Sequence, residues 1–493
     1  MLPTAPTPPA RLRGTLVLLV MLGACGLPGG TSYSGSIPPN EDAALDAFLA
    51  EARLAAEDRT RLKELLGTKR GRSLSWVTAD PRWVQIDLSQ RRVELRRLGA
   101  RFRSSALSPD QALRFATERS RLTREKEAIE DWRGRDLLWP EEGTEAQEDW
   151  LLGDARPVEL EGTDSLEDGA VLEGWFARMG VRGRYLAALE RELAEREERD
   201  LLPAATGVLR ALARVRTARE TQLPGWLALL TARLAGEENL SAQARAEWRA
   251  RGAEVLQAAL GDRLDGLAQR LAGLAERAPS GSLASGEEDS AYYRHLLLQA
   301  TTLRLVKPLE FHRLHKQEVE RIHGQLRAHF DQADSTRSLA EWLADKNQTP
   351  VGQVPQASTP FRAWSQGWEL YESARGEELP DLARRLDAYA LAATDTGIHA
   401  RGWTREEALT YLQRNTPMGT THASQAIDSM YLYPGRAVGP PIGFEQFLSI
   451  RARCGQRWGP DFDDEPLHEL IRATGPVPLE PLSVRVLRWM STR

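Results

Sequence analysis

Six leucines between Ser241 and Arg277, at positions 256, 260, 264, 267, 271 and 274, recur at intervals of four, four, three, four and three residues. Side chains spaced this way fall on one face of an α-helix and form a seam like that of a coiled coil. A seam this long cannot stay in water, so the chain must supply other helices to cover it. Only one such segment is present, which favours an internal packing helix over a zipper for a partner.

Helical spacing recurs elsewhere. Leu45, Phe48, Leu49 and Ala52 share a face, with Gly67 placed as a C-terminal cap. In ERELAEREERD the pairs Glu192–Arg196 and Glu195–Arg199 are four residues apart, as on a solvated helix face. The expected fold class is therefore mainly α. One exception is expected near the N-terminus. Val84, Ile86 and Leu88 alternate with Trp83, Gln85 and Asp87, and Val93 and Leu95 alternate again, which reads as a small β-hairpin over about 74–98.

Composition narrows the function classes. Of 493 residues, 41% are hydrophobic and 27% charged, and mean hydropathy is −0.45. Those values exclude a polytopic membrane protein and a disordered chain. The net charge of −5, from 65 basic and 70 acidic residues, lacks the basic surplus needed to coat nucleic acid. No nucleic-acid partner is expected.

Arg11 and Arg13 precede the apolar run TLVLLVMLGA, which ends at Leu22-Gly23-Ala24-Cys25. A basic segment followed by a short apolar run reads as a signal peptide over 1–24. The Leu-Gly-Ala-Cys ending resembles the bacterial lipobox, which implies a lipid-modified Cys25 and a membrane anchor. Gly26 follows where an aspartate would signal inner-membrane retention, so the outer membrane is favoured, facing the periplasm or the surface. Removing 1–24 takes away Arg11 and Arg13 and moves the charge from −5 to −7. The other cysteine, Cys454, then has no partner, which rules out a disulfide framework and a zinc ribbon.

The expected organisation follows from breaks in the pattern. A Gly/Pro/Ser-rich tether occupies 25–40 with the lipidated cysteine, and a helical region fills 41–277. The stretch APSGSLASGEED marks a linker at 278–289, and 290–493 forms a C-terminal domain.

Beyond the linker the sequence resembles a known family. Gly286, Tyr292-Tyr293, Thr301-Thr302 and Glu318-Val319-Glu320-Arg321-Ile322 come first, then Trp364-Ser365-Gln366-Gly367-Trp368-Glu369-Leu370-Tyr371-Glu372. The string DTGIHARGWTREEALTYL at 395–412, the Pro434-Gly435 turn and Pro476-Val477-Pro478-Leu479 complete it. Together they resemble the bacterial family of unknown function DUF885 over roughly 280–493. The resemblance implies a mostly helical, zinc-peptidase-like architecture. Its zinc site would come from a His-Glu pair followed by Pro-Gly-His, and from the glutamate of a Glu-Gly-Trp segment. Two imidazoles and a carboxylate can hold Zn²⁺ with an open position, while a further glutamate takes a proton from the bound water.

This chain departs from that pattern. Its one His-Glu pair is His468-Glu469, with no following histidine, and the interval 323–365 holds only His323 and His329. Gln366 replaces the glutamate ligand, and a neutral amide is a poor exchange for a carboxylate. Ser429 and Met430 stand where the family carries Arg-Tyr, Arg436 where it carries glutamine, and Pro440 where it carries tyrosine. His312 and His315 could form half a site, but His312 and His323 lie about 16 Å apart along a helix of ~1.5 Å rise. No metal and no cofactor are expected.

Trp368, Tyr371, Glu372, Asp395, His399 and Trp403 match family positions outside the zinc site. They either line a remnant groove for an extended peptide or form the packing signature of the fold. The sequence thus points to a membrane-anchored envelope lipoprotein resembling a peptidase without its zinc. Such a protein is expected to bind a peptide, protein or envelope polymer rather than to catalyse. An active hydrolase with a rebuilt metal site, and a structural or chaperone-like helical lipoprotein, are the alternatives.

Overall fold

The computed structural model describes residues 41–53, 81–131, 151–333 and 361–492, apart from 153–154, 162–165, 167–168, 199–201, 203, 279–280, 285, 377 and 460–461. The signal peptide, Cys25, the tether and Gly67 lie outside the described residues.

The described chain is a succession of helices, with no strand among the described residues. Helix α1 (residues 41–53) buries Leu45 and Phe48, the face expected from their spacing. It packs with α2 (Pro81–Arg101) and α3 (Pro109–Asp131), whose Leu98, Phe115 and Leu122, with Phe102 just past α2, complete a small core.

Helix α2 corrects the expected hairpin. Residues 74–80 lie outside the described residues, but from Pro81 onward the segment is helical. Its alternation was ambiguous, because Leu88, Leu95, Leu98 and Phe102 also satisfy helical spacing. The structure buries Leu88, Leu98 and Phe102 and leaves Val93 exposed, which is the helical solution.

A second core spans residues 151–274. Around it run α4 (Ala170–Glu198), α5 (Ala205–Thr217), α6 (Leu223–Ala235), α7 (Ala242–Leu256) and α8 (Asp262–Ala275). The six seam leucines are all buried there, so the seam is internal packing. A π-turn at Gln257–Gly261 joins α7 to α8, and it faces Gly183 of α4. A Cβ at Gly183 would lie 2.3 Å from the Ala259 carbonyl oxygen, so only glycine allows this approach.

The third and largest core spans residues 293–486. It is built from α9 (Glu287–Thr301), α10 (Pro308–Ala333), α11 (Arg362–Ala374), α12 (Leu379–Arg401), α13 (Arg405–Asn415), α14 (Thr420–Leu432), α15 (Gly439–Trp458), α16 (Glu465–Thr474) and α17 (Leu479–Thr492). Helix α12 is its axis, packed against α10, α11, α13 and α15. Its sequence explains this place. Alanines and threonines on every side let neighbours approach from all directions, and 16 of its 23 residues are buried.

Helices α11 and α15 cross closely because Gly367 meets Gly443. A Cβ on Gly443 would lie 1.7 Å from the Ala363 carbonyl oxygen. The Gly/Ser stretch before α9 is sewn to the third core: Ser282 Oγ donates to the Ile398 carbonyl at 2.7 Å.

Candidate functional site

A polar side chain on a helix buried all round must find a partner or carry a desolvation cost. Asp395 finds three. It accepts from the Tyr293 hydroxyl at 2.7 Å, from the Gly435 N–H at 2.9 and 3.0 Å, and from the Ala437 N–H at 3.4 Å. Burial pushes its carboxyl up to about 7, with the three donors acting in the opposite sense. Gly435 sits at φ +81°, in the left-handed region a turn requires, so Asp395 anchors a turn that glycine makes feasible.

His399 lies one turn further on and is also enclosed. Its Nδ1 accepts from the Leu283 N–H at 3.3 Å, so Nε2 carries the proton and donates to the Met430 carbonyl at 3.1 Å. Burial holds the imidazole neutral, near 4. Both nitrogens are committed to backbone.

Trp403 closes the end of α12. The Trp403 N–H returns to the Gly397 carbonyl, and its ring covers Gly397, where a Cβ would come within 2.2 Å. His312 meets the ring edge-on at 5.0 Å. Thr404 and Glu407 then form a reciprocal capping box that starts α13. The GWTREEA string therefore encodes a helix stop and the next helix start.

Trp368, Tyr371 and Glu372 are brought together elsewhere, at the seam of α11, α15 and α16. Trp368 stacks on Tyr371 at 5.2 Å and meets Phe447 edge-on at 5.0 Å. The Tyr371 hydroxyl lies 3.1 Å from His468 Nε2, and Arg375 Nη1 donates to the same nitrogen at 3.0 Å. Burial first, and the Arg375 charge second, lower the His468 pKa. Outside this pair lie exposed Glu372, Arg375 and Arg472, with Glu372 and Arg472 3.5 Å apart. Buried aromatics thus lie beneath an exposed rim that carries both charges.

The structure also brings together Tyr389, Glu445 and Asp387, which the sequence did not single out, and His315, which it offered as half of a metal site. The Tyr389 hydroxyl donates to Glu445 Oε1 between α12 and α15. Burial raises Glu445 to about 7. His315 on α10 lies 6.1 Å from the Tyr389 ring, fully buried, and neither of its nitrogens has a partner. Asp387, 2% exposed, has two unpartnered oxygens and is pushed by burial to about 7. For Glu445 the sequence carried one signal, a lone carboxylate in the apolar run PPIGFEQFL.

The family comparison accords with this geometry. The family model described as "Bacterial protein of unknown function (DUF885)" matches residues 64–367 and 366–486. The chain belongs to the DUF885 family. Among solved structures, a candidate lipoprotein from Colwellia psychrerythraea superposes with a TM-score of 0.65 at 13% identity, covering 92% of this chain and 100% of its own. A candidate lipoprotein of unknown function from Shewanella oneidensis gives 0.53 at 14% identity, covering 91% and 100%. At these identities the likeness shows the fold. No curated protein matches.

The positions expected from the sequence to depart from the zinc motif are placed as follows in this DUF885 chain. Gln366 is buried with its Oε1 unpartnered. The Ser429 carbonyl accepts from the Tyr433 N–H at 2.8 Å. Met430 is buried and supplies the carbonyl for His399, Arg436 lies 4.0 Å over the Tyr433 ring, and Pro440 opens α15.

The donor set does not fit zinc. His468 is held by Tyr371 and Arg375, His399 by two backbone groups, and His312 Nδ1 by the Ala393 carbonyl at 3.1 Å. Gln366 offers an amide in place of a carboxylate. Among the described residues, no three His, Cys, Asp or Glu side chains are placed to share a metal ion.

Proposed function

We propose that the mature protein is a lipid-anchored component of the bacterial cell envelope. It is held through Cys25, at the outer membrane, and its DUF885 domain binds a peptide, protein or envelope polymer without hydrolysing it. The anchor rests on the basic segment, apolar run and Leu-Gly-Ala-Cys order, and two fold relatives described as candidate lipoproteins agree with it. The observation that carries the non-catalytic reading is the commitment of the polar groups. Asp395 and His399 spend their hydrogen-bonding capacity inside the fold. The best-supported binding face is the rim of Glu372, Arg375 and Arg472 over Trp368, Tyr371 and His468.

The test is binding of the mature protein to a peptide library and to envelope extract. Arg472→Gln removes an exposed charge from the rim and is expected to weaken binding while leaving thermal stability within about 1 kcal/mol of wild type. Unchanged binding would remove this face from consideration.

The rival hydrolase reading is favoured by one observation. Glu445, raised to about 7 and hydrogen-bonded to Tyr389, has the proton affinity of a general acid. Hydrolysis lost in Glu445→Gln would support it.

A further inference from the structure

Seven large apolar side chains are exposed among the described residues, and four of them sit on two adjoining segments. Leu305 and Leu309 flank the start of α10, at 53% and 55% exposure, and Val484 and Leu487 lie on α17, at 50% and 39%. The segments are joined directly. The Arg304 N–H donates to Glu480 Oε1 at 2.9 Å, and Arg304 Nε pairs with Glu480 Oε2 at 2.9 Å. Glu480, Val484, Leu487 and Arg488 share one helical face, so the Arg304–Leu305 segment crosses the beginning of the same face that Val484 and Leu487 continue. Cations are interleaved with the apolar groups: Arg304, which keeps 82% of its side chain exposed beside Glu480, Lys307, paired with Glu310 at 2.8 Å, and Arg488.

The chain enters the fold beside this face. Asp42, in the first turn of α1, accepts from the Ser108 N–H at 3.0 Å. Two residues on, Asp110 pairs with Arg485 of α17 at 2.5 Å. The described chain therefore begins near Arg485, which lies between Val484 and Leu487 in the sequence of α17. Cys25 precedes residue 41 by 16 positions, and a chain of that length spans at most about 55 Å. With Cys25 anchored, this side of the molecule stays within that distance of the bilayer.

We infer that the face formed by Leu305, Leu309, Val484 and Leu487 rests on the membrane that carries the anchor. Its apolar side chains enter the headgroup boundary and Arg304, Lys307 and Arg488 meet lipid phosphates. Apolar groups interleaved with long basic side chains are what interfacial contact requires, since the cations extend outward to the phosphates while their stems stay apolar. The contact orients the domain on the membrane. It rests on the lipid-anchor reading.

The test uses the mature acylated protein in vesicles of phosphatidylethanolamine and phosphatidylglycerol. Val484→Cys, Leu305→Cys and the control Leu209→Cys are each labelled with an environment-sensitive fluorophore. Leu209 is equally exposed but lies on α5, in the second core. Cys454 is fully buried and stays unlabelled, and Cys25 is blocked by its lipid. Nitroxide-bearing lipid is expected to quench the labels at 484 and 305 at least about threefold more strongly than at 209. Equal quenching at all three positions would overturn the inference. A concentration-dependent blue shift at 484 without vesicles would assign the face to a second copy of the chain, and would also overturn it. Flotation reports the anchor separately: wild type that fails to float with vesicles sinks the anchor reading and this inference with it.

Discussion

Both carboxylate oxygens of Asp395 receive the backbone N–H of Gly435, at 2.9 and 3.0 Å, across 40 residues of sequence. One side chain in the middle of α12 thereby fixes the turn that leads into α15. Asp395→Asn keeps the volume but replaces one acceptor oxygen by an amine facing N–H donors. The expected cost is about 1–3 kcal/mol, measured by urea unfolding near pH 7. A neutral result would show that the turn holds without this contact.

Asp387 should make stability depend on pH. Its carboxyl rises from 3.8 to about 7 through burial alone, so the folded state binds its proton more tightly than the unfolded chain does. Its contribution is full below pH ~4 and is lost as pH rises through about 7. Asp387→Asn should raise the thermal midpoint at pH 8 and leave it nearly unchanged at pH 4. Asp395 and Glu445, also raised to about 7, add to the same slope in the wild type, so the variant should flatten it only in part. An equal shift at both pH values would mean that the carboxyl is not what titrates.

The crossing of α11 and α15 tolerates no side chain at Gly443. Gly443→Ala drives its Cβ into the Ala363 backbone, whereas Gly455→Ala, on the same helix, meets nothing within 4 Å. The first should cost about 3 kcal/mol or more. The second should be neutral or slightly stabilising, by helix propensity. Chemical denaturation of both variants makes the comparison, and equal effects would contradict the close crossing.

Tyr371→Phe and His399→Gln separate binding from packing. Each keeps most of the side-chain volume. His399→Gln must give up its bond to Leu283 or to Met430, so it should lower stability by about 1–3 kcal/mol. Tyr371→Phe removes a hydroxyl from His468, which keeps Arg375, so about 1 kcal/mol is expected. Loss of ligand binding should accompany the Tyr371 change and not the His399 change. The reverse pattern would move the binding face to the α12 side.

Much of this fold was legible because helical spacing is redundant. The leucine seam needed no tertiary knowledge to be placed inside, and its six residues are buried. The family strings were readable as well, though their physical content came only with the structure. The stretch GWTREEA is a helix stop, a ring over Gly397 and a capping box. Of the segment expected as a hairpin over 74–98, the part from Pro81 onward is helical: an alternating pattern and a helical one share Leu88 and Leu95, and only packing against Phe48 and Phe115 decides.

The sequence grouped Trp368, Tyr371 and Glu372 with Asp395, His399 and Trp403 as one groove. The structure places the first three at the α11–α16 seam and commits Asp395 and His399 to backbone. Glu445 and Tyr389 were not legible, and His315 was legible only as half of a metal site, because what makes them notable is the meeting of three helices far apart in sequence.

Whether the mature protein binds without turnover is read from peptide hydrolysis. Wild type and Glu445→Gln are assayed on the same peptides and envelope extract that bind, with and without added zinc. Ligand binding is expected with no turnover above the uncatalysed rate under either condition, and with no difference between the two proteins. Zinc-stimulated cleavage by wild type, abolished in Glu445→Gln, would contradict it.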